Sequence, residues 1–270
     1  MTAANLSLRD AALGLLIVFV WGTNFVVVRW GLGSLPPLLM AAIRFALVLF
    51  PAIFFIKKPN VSWGSLALYG LCVGTGQFGL LYIAMNGFIS PGMASVVMQM
   101  HNGQDITPTG LALVLGGAVC WAVSNQATRE AAHQAVSRGT PMNPLAYVVW
   151  ASLFAMPSLL IASLMLEGPA QALRSVATSN WIIWPTLVWQ SAANTLFGYT
   201  MWAWLLARYP AATVAPMSLL VPVFGMGASV LVLSEPLPAW KIIACLLIMA
   251  GLAVNLLWRP RPAAISGEPD

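Results

Sequence analysis

Eight stretches of about 20 residues run through this chain with scarcely a charge in them, and a helix of that length is what crosses a bilayer's hydrocarbon. They fall near 11–31, 36–56, 63–86, 108–128, 143–166, 181–207, 211–233 and 238–258. Of the 270 residues, 60% are apolar and only 7% charged, whereas an average soluble domain carries roughly a quarter charged residues. A water-soluble fold is excluded. The first stretch follows a polar leader, Asn5 to Asp10, without a secretory cleavage site, so it is expected to stay as a helix. The net charge of +5 comes without a basic run longer than Lys57-Lys58, so it points to loops on one membrane face and not to nucleic acid. Cys72, Cys120 and Cys245 each lie in an apolar run without CxxC spacing, which suggests neither a disulfide framework nor a metal site. No cofactor is called for.

The chain also resembles itself. Trp21 and Arg29 lie eight residues apart, as do Trp121 and Arg129. Pro37-Leu38 precedes Pro51 much as Pro144-Leu145 precedes Pro157, and Phe78-Gly79 precedes Pro91 by the interval that separates Phe197-Gly198 from Pro210. Three matches in one order indicate two related halves, 1–105 and 106–270, within a single membrane domain. In this register Met100 pairs with Leu219, and Leu220 to Trp258 have no partner in the first half. The apolar run Phe88 to Met100 is too short to span, so a helix remainder and one whole helix are expected to be missing between Met100 and His101. Either the protein lost them or the sequence omits them, and omission is preferred. The complete unit would hold five plus five helices.

Charge placement agrees. If the short run does not cross alone, Arg9, Lys57, Lys58, Arg129, Arg138, Arg208, Arg259 and Arg261 share one side, with only Arg29, Arg174 and Lys241 opposite. The positive-inside bias then puts both termini in the cytoplasm. An odd number of helices per half inverts the halves relative to each other, an arrangement common in alternating-access carriers.

Trp21-Gly22-Thr23-Asn24-Phe25, the helix of Pro37 and Arg44, the repeated Trp121-Ala122-Val123-Ser124-Asn125 and the turn Ser234-Glu235-Pro236-Leu237 resemble the EamA-type branch of the drug/metabolite transporter superfamily. Within it the sequence is most similar to the YddG-type amino-acid exporters of bacterial inner membranes. The resemblance implies an all-α polytopic membrane protein of two inverted five-helix repeats, ten helices in the complete unit. It also implies export of aromatic and other neutral amino acids, or similar small metabolites. A nucleotide-sugar or lipid-intermediate carrier is the alternative within the superfamily, and a channel or a membrane-embedded enzyme lies outside it. The enzyme would need acids and histidines clustered at bilayer depth, and the sequence shows none.

Polar side chains deep in a span face protein or water, which selects the candidate substrate-binding residues. Arg44 is the only charge near the middle of a span, fit either to meet a substrate carboxylate or to cap carbonyls between helices. Asn24, Gln77, Gln99, Asn125, Gln190 and Asn194 can donate and accept; interhelical hydrogen bonding is the plainer reading for each. Gln190 and Asn194 are one turn apart and share a face. Trp21, Tyr82, Trp121, Tyr147, Trp150, Tyr199 and Trp202 lie inside spans, where rings with a polar tip can line a cavity, and Met85, Met93 and Met98 add an adaptable wall. Trp30, Trp63, Trp181, Trp184, Trp240 and Trp258 fall at span ends, as interfacial anchors do. The Gly74-Thr75-Gly76 run with Gly79 weakens the third helix, and Pro216 with Pro222 interrupts the one after Pro210.

All seven acids, Asp10, Asp105, Glu130, Glu167, Glu235, Glu268 and Asp270, lie in loops or at helix ends, and His101 and His133 lie outside the spans. Proton-coupled carriers place such groups along the path, so exchange or facilitated diffusion is expected. The partners implied are a small-molecule substrate and lipid. A monomer is compatible with this arrangement.

Overall fold

The computed structural model describes residues 6–89 and 107–257. Gln99, Met93, Met98, Trp258 and the Met100-His101 junction lie outside the described residues. Proline and side-chain caps set where the helices begin. Ser7, Ser62, Thr107 and Asn143 each accept a hydrogen bond from an amide of the first turn, and Pro37, Pro108 and Pro144 occupy first helical positions, where no amide is needed.

Eight long helices result among the described residues. They are α1 (Leu8–Leu32), α2 (Pro37–Phe55, broken at Phe50-Pro51), α3 (Trp63–Met85), α4 (Pro108–Ser137), α5 (Pro144–Leu166), α6 (183–208), α7 (Ala211–Leu233) and α8 (Ala239–Leu257). A short surface helix, Pro169–Ala177, lies between α5 and α6. Six of the eight, α1 to α5 and α7, are long and apolar enough to span by composition alone. α6 carries Gln190, Ser191, Asn194 and Thr195, all buried, which lower its hydropathy without shortening it. α4 runs to Ser137, past the expected end near 128, because Ala131, Ala132 and Ala135 stay packed against the bundle. Outward-facing side chains are apolar, among them Phe54, Phe55, Met165, Leu166 and Leu231, as lipid as solvent requires. Trp30, Trp63, Trp181 and Trp184 are at least half exposed near helix ends.

Side-chain contacts fix the direction of each helix. The Glu167 carboxylate, just past the end of α5, accepts from the Leu38 and Leu39 amides at the start of α2, at 2.6 and 3.0 Å. At the other end Trp150 Nε1, early in α5, donates to the Ile56 carbonyl just beyond α2. α2 and α5 are therefore antiparallel, and they are the counterparts that open with Pro37 and Pro144. α3 runs parallel to α5, with Gly70 against Ala151 and Gly74 against Ala155. α6 runs parallel to α2, with Thr186 near Met40 across Gly31 and Thr195 on Arg44. α4 runs antiparallel to α3, Cys120 lying against Gly76 and Gly110 against Phe88. α1 runs antiparallel to α6, with Gly31 against Thr186 and Gly14 against Leu205, so every matched pair, α1 with α4, α2 with α5 and α3 with α6, points in opposite directions. The two halves are inverted repeats, and α4 starts on the side where α3 ends, as the charge pattern requires.

The symmetry extends to irregular backbone. α3 widens to a π-helix over Cys72–Gly79 and α6 over Gln190–Tyr199, each enclosing its Phe-Gly pair. The glycines of α3 foretold the first, and α6 gave no such sign. In α7 a 3₁₀ segment, Ala215–Leu220, lies between Pro210 and Pro222, the stretch that its prolines mark. Gly22 lets α7 press onto α1: a Cβ there would come 2.8 Å from the Val221 carbonyl oxygen and 2.9 Å from the Gly225 nitrogen.

Candidate functional site

Where the halves meet, they leave a cavity of about 240 Å³. α1 lines it with Trp21, Asn24, Phe25 and Val28, and α3 with Gln77, Phe78 and Leu81. The second half supplies Val114, Gly117, Ala118 and Trp121 from α4, Asn194 and Tyr199 from α6, and Ser218, Val221 and Pro222 from α7. The π-helical turns of α3 and α6 deliver Gln77, Phe78, Asn194 and Tyr199, a recurrent use of such turns at functional sites.

Aromatic rings close one end. On α1 the lining begins at Trp21 and continues toward the C-terminus, and on antiparallel α4 it ends at Trp121, so the cavity extends toward the Arg29 end of α1. Trp21 meets Trp121 edge to face at 6.2 Å, Tyr199 at 4.9 Å and Trp202 at 5.1 Å. Gly198 makes room for the Trp21 indole, since a Cβ there would lie 2.4 Å from Trp21 Nε1. That Nε1 donates to the Asn194 carbonyl at 3.2 Å. Trp202 packs beneath, its Nε1 donating to Asn125 Oδ1 at 3.1 Å. Below this layer Gly14 packs on Met217, and the Tyr209 hydroxyl, just after α6, donates to the Asp10 carboxylate on α1.

The cavity wall is apolar with a few polar points. Tyr199 Oη donates to Gln77 Oε1 at 3.1 Å. Asn24 Oδ1 and Trp121 Nε1 have no hydrogen-bond partner among the described residues. Buried polar groups are seldom left unpaired, and here one acceptor and one donor stand idle on facing halves. None of the lining residues is charged.

Six candidates from the sequence therefore meet at one cavity: Trp21, Asn24, Gln77, Trp121, Asn194 and Tyr199. Asn125 and Trp202 stand one layer behind. Arg44, Tyr82 and Gln190 form a separate buried network off the cavity, in which Arg44 Nη1 donates to Tyr82 Oη at 2.7 Å and Tyr82 in turn donates to Gln190 Oε1. Met85 is buried in the core. Tyr147 and Trp150 lie elsewhere: Tyr147 is hydrogen-bonded to Ser65 at 3.0 Å, and Trp150 meets Trp63 edge to face at the Ile56 end of α2. Phe25, Val28, Phe78, Leu81, Ala118, Ser218, Val221 and Pro222 line the cavity without having been marked as candidates. Of these Phe78 carried a sequence signal as half of the repeated Phe-Gly pair, Phe25 as the end of the Trp21-to-Phe25 motif and Pro222 as a helix interruption.

Comparison with known proteins follows the same division. The profile of the EamA-like transporter family matches twice, over residues 9–101 and 108–257. A protein of Escherichia coli (strain K12) named "Probable amino-acid metabolite efflux pump" is 34% identical over 296 aligned residues, covering 94% of this chain and 98% of its own. Its namesake from Salmonella typhimurium is 34% identical over 291, covering 93% and 96%. Both alignments exceed the 270 residues of this chain, so the relatives carry residues that it lacks. A solved crystal structure superposes with a TM-score of 0.61 at 16% identity, covering 94% of this chain and 99% of its own, which shows the shared fold. With the family profile matching most of its length in two successive stretches, this multi-pass membrane protein belongs to the EamA-like transporter family.

Proposed function

We propose that the protein exports a neutral amino acid or a similar small metabolite across a bacterial inner membrane by alternating access, with both termini in the cytoplasm. The observation that carries this reading is the cavity between inverted halves, where Asn24 Oδ1 and Trp121 Nε1 stand unpaired on a mostly apolar wall. Such a wall suits an apolar or aromatic side chain, and the idle donor and acceptor suit a polar backbone. Pockets for drug-sized ligands run to roughly 300–1,000 Å³, so a cavity of about 240 Å³ fits something smaller. The names of the two relatives support the substrate class.

Placing the basic residues inward puts the aromatic floor on the cytoplasmic side and the cavity toward the other face, the state from which an exporter would release its substrate. A nucleotide sugar would need cations for its phosphates, and the described lining offers none. With uncharged walls, flux is read as exchange or facilitated diffusion. The test is counterflow in proteoliposomes with a panel of labelled amino acids and no imposed pH gradient. Saturable counterflow of aromatic or aliphatic amino acids is expected. Flux that never saturates would indicate a channel, and flux that needs a pH gradient would refute the exchange mode.

A further inference from the structure

Arg44 lies on α2 with no exposed surface. Its Nε donates to Thr195 Oγ1 at 2.7 Å and its Nη1 to Tyr82 Oη at 2.7 Å, while Nη2 has no acceptor among the described residues. Gln190 Nε2, on the far side of the Tyr82 hydroxyl, is also without an acceptor. The described acids are engaged elsewhere: Glu167 on the first amides of α2, Asp10 with Tyr209, Glu130 with Gln134 and Glu235 with Lys241. The cluster therefore holds a guanidinium and two idle donors, and no acid among the described residues faces it.

A cation enclosed in a bilayer without a counter-ion is costly. One contact offsets part of that cost. The Phe78 ring lies 3.7 Å from Arg44 Cζ, a cation–π contact, and the same ring forms part of the cavity wall. One side chain thus touches both the guanidinium and the cavity.

The equivalent crossing in the other half carries no charge. Counting from Pro37 and Pro144, the position matching Arg44 in the second half is Ala151. There α5 and α3 cross on Ala151, Gly70, Gly74 and Ala155, with no charged group between them. One crossing of the pseudo-symmetric pair is made of alanine and glycine, and the other is built around Arg44, Gln190 and Thr195.

We propose that Phe78 is a shutter over an anion subsite, and that the carboxylate of the transported molecule reaches Arg44 Nη2 and Gln190 Nε2 when the ring turns aside. A carboxylate matches the planar guanidinium fork. In the empty protein the face of the ring takes the place of the anion. This rests on the reading that the substrate is an amino acid, and it adds where the carboxylate goes and which residue admits it.

The test is arginine modification by phenylglyoxal on the purified full chain in liposomes, read by mass spectrometry at Arg44 with exposed Arg138 as reference. Arg44 should react slowly in the wild type and several-fold faster in Phe78→Ala. Acetate and alanine should slow it in that variant, and ethylamine should not. Phe78→Leu keeps an apolar cover but loses the π face, so it should fall between the two and serves if the alanine variant fails to fold. In the flux assay Arg44→Gln should lose about ten- to hundredfold of the preference for alanine over alaninamide. Arg44 remaining as slow in both Phe78 variants as in the wild type overturns the shutter. Protection by ethylamine equal to that by acetate overturns the anion subsite. If the wild type moves no amino acid yet acetate still protects Arg44, the exporter reading fails while the subsite stands.

Discussion

At the residue scale, a single carboxylate ties the two central helices together. Glu167 ends α5, accepts from two amides at the start of α2 and takes a further hydrogen bond from the Ser163 hydroxyl at 2.6 Å. A negative charge on a helix N-terminus is favourable twice over, through the amides it satisfies and through the helix dipole. Glu167→Ala should therefore destabilise the detergent-solubilised protein by about 1–3 kcal/mol, seen as a lowered Tm, and Glu167→Gln by less because it keeps an acceptor. A Tm unchanged in both variants would show that the cap contributes nothing. Arg44 stood out in the sequence as one charge among apolar neighbours, and the fold buries it off the cavity in the network with Tyr82 and Gln190. Tyr147 and Trp150 were not separable from Tyr199 and Trp21 by the same reasoning. In a membrane helix the lipid face and the core face are both apolar, so the pattern that would reveal which way a ring points is missing.

At the scale of elements, close approach matters more than side-chain volume. A Cβ on Gly70 would lie 2.2 Å from the Ala151 carbonyl oxygen, and that atom belongs to a backbone that cannot swing away. Gly70→Ala must push α3 off α5 and should cost about 1–3 kcal/mol, measured as a fall in Tm. Gly227, around which a Cβ would meet nothing, should tolerate alanine without loss, and equal losses at the two positions would contradict the packing described. The small residues and prolines of α3 and α7 announced irregular backbone at the level of sequence. The π-helix of α6 gave no such warning, because its Gln190, Ser191, Asn194 and Thr195 read as polar residues in a regular helix. There Trp21 sits over Gly198 and Thr195 Oγ1 accepts from Arg44 Nε, contacts with distant helices that the local sequence does not announce.

At the scale of the whole molecule, duplication was readable from three spaced pairs, Trp21 with Trp121, Pro37 with Pro144 and Phe78 with Phe197. Inversion followed from the charges of the loops. The cavity's lining was readable only in part, with Trp21, Asn24, Gln77, Trp121, Asn194 and Tyr199 marked in advance, because the rest depends on how helices distant in the chain are turned toward one another. Its floor of Trp21, Trp121, Tyr199 and Trp202, with the Asp10–Tyr209 contact below, closes one end while the wall continues toward the other. On the alternating-access proposal, that asymmetry corresponds to a cavity reached from one face only.

The most direct measurement of this account is sided labelling of Leu81→Cys in the first half and Ala118→Cys in the second. It would be made without the native Cys72, Cys120 and Cys245, with an impermeant maleimide in right-side-out and inside-out vesicles. Both positions line the cavity. Both should react chiefly from the face opposite the termini, and the amino acid supporting counterflow should slow both together. Equal reaction from both faces at once, or a substrate that is transported yet protects neither site, would contradict it.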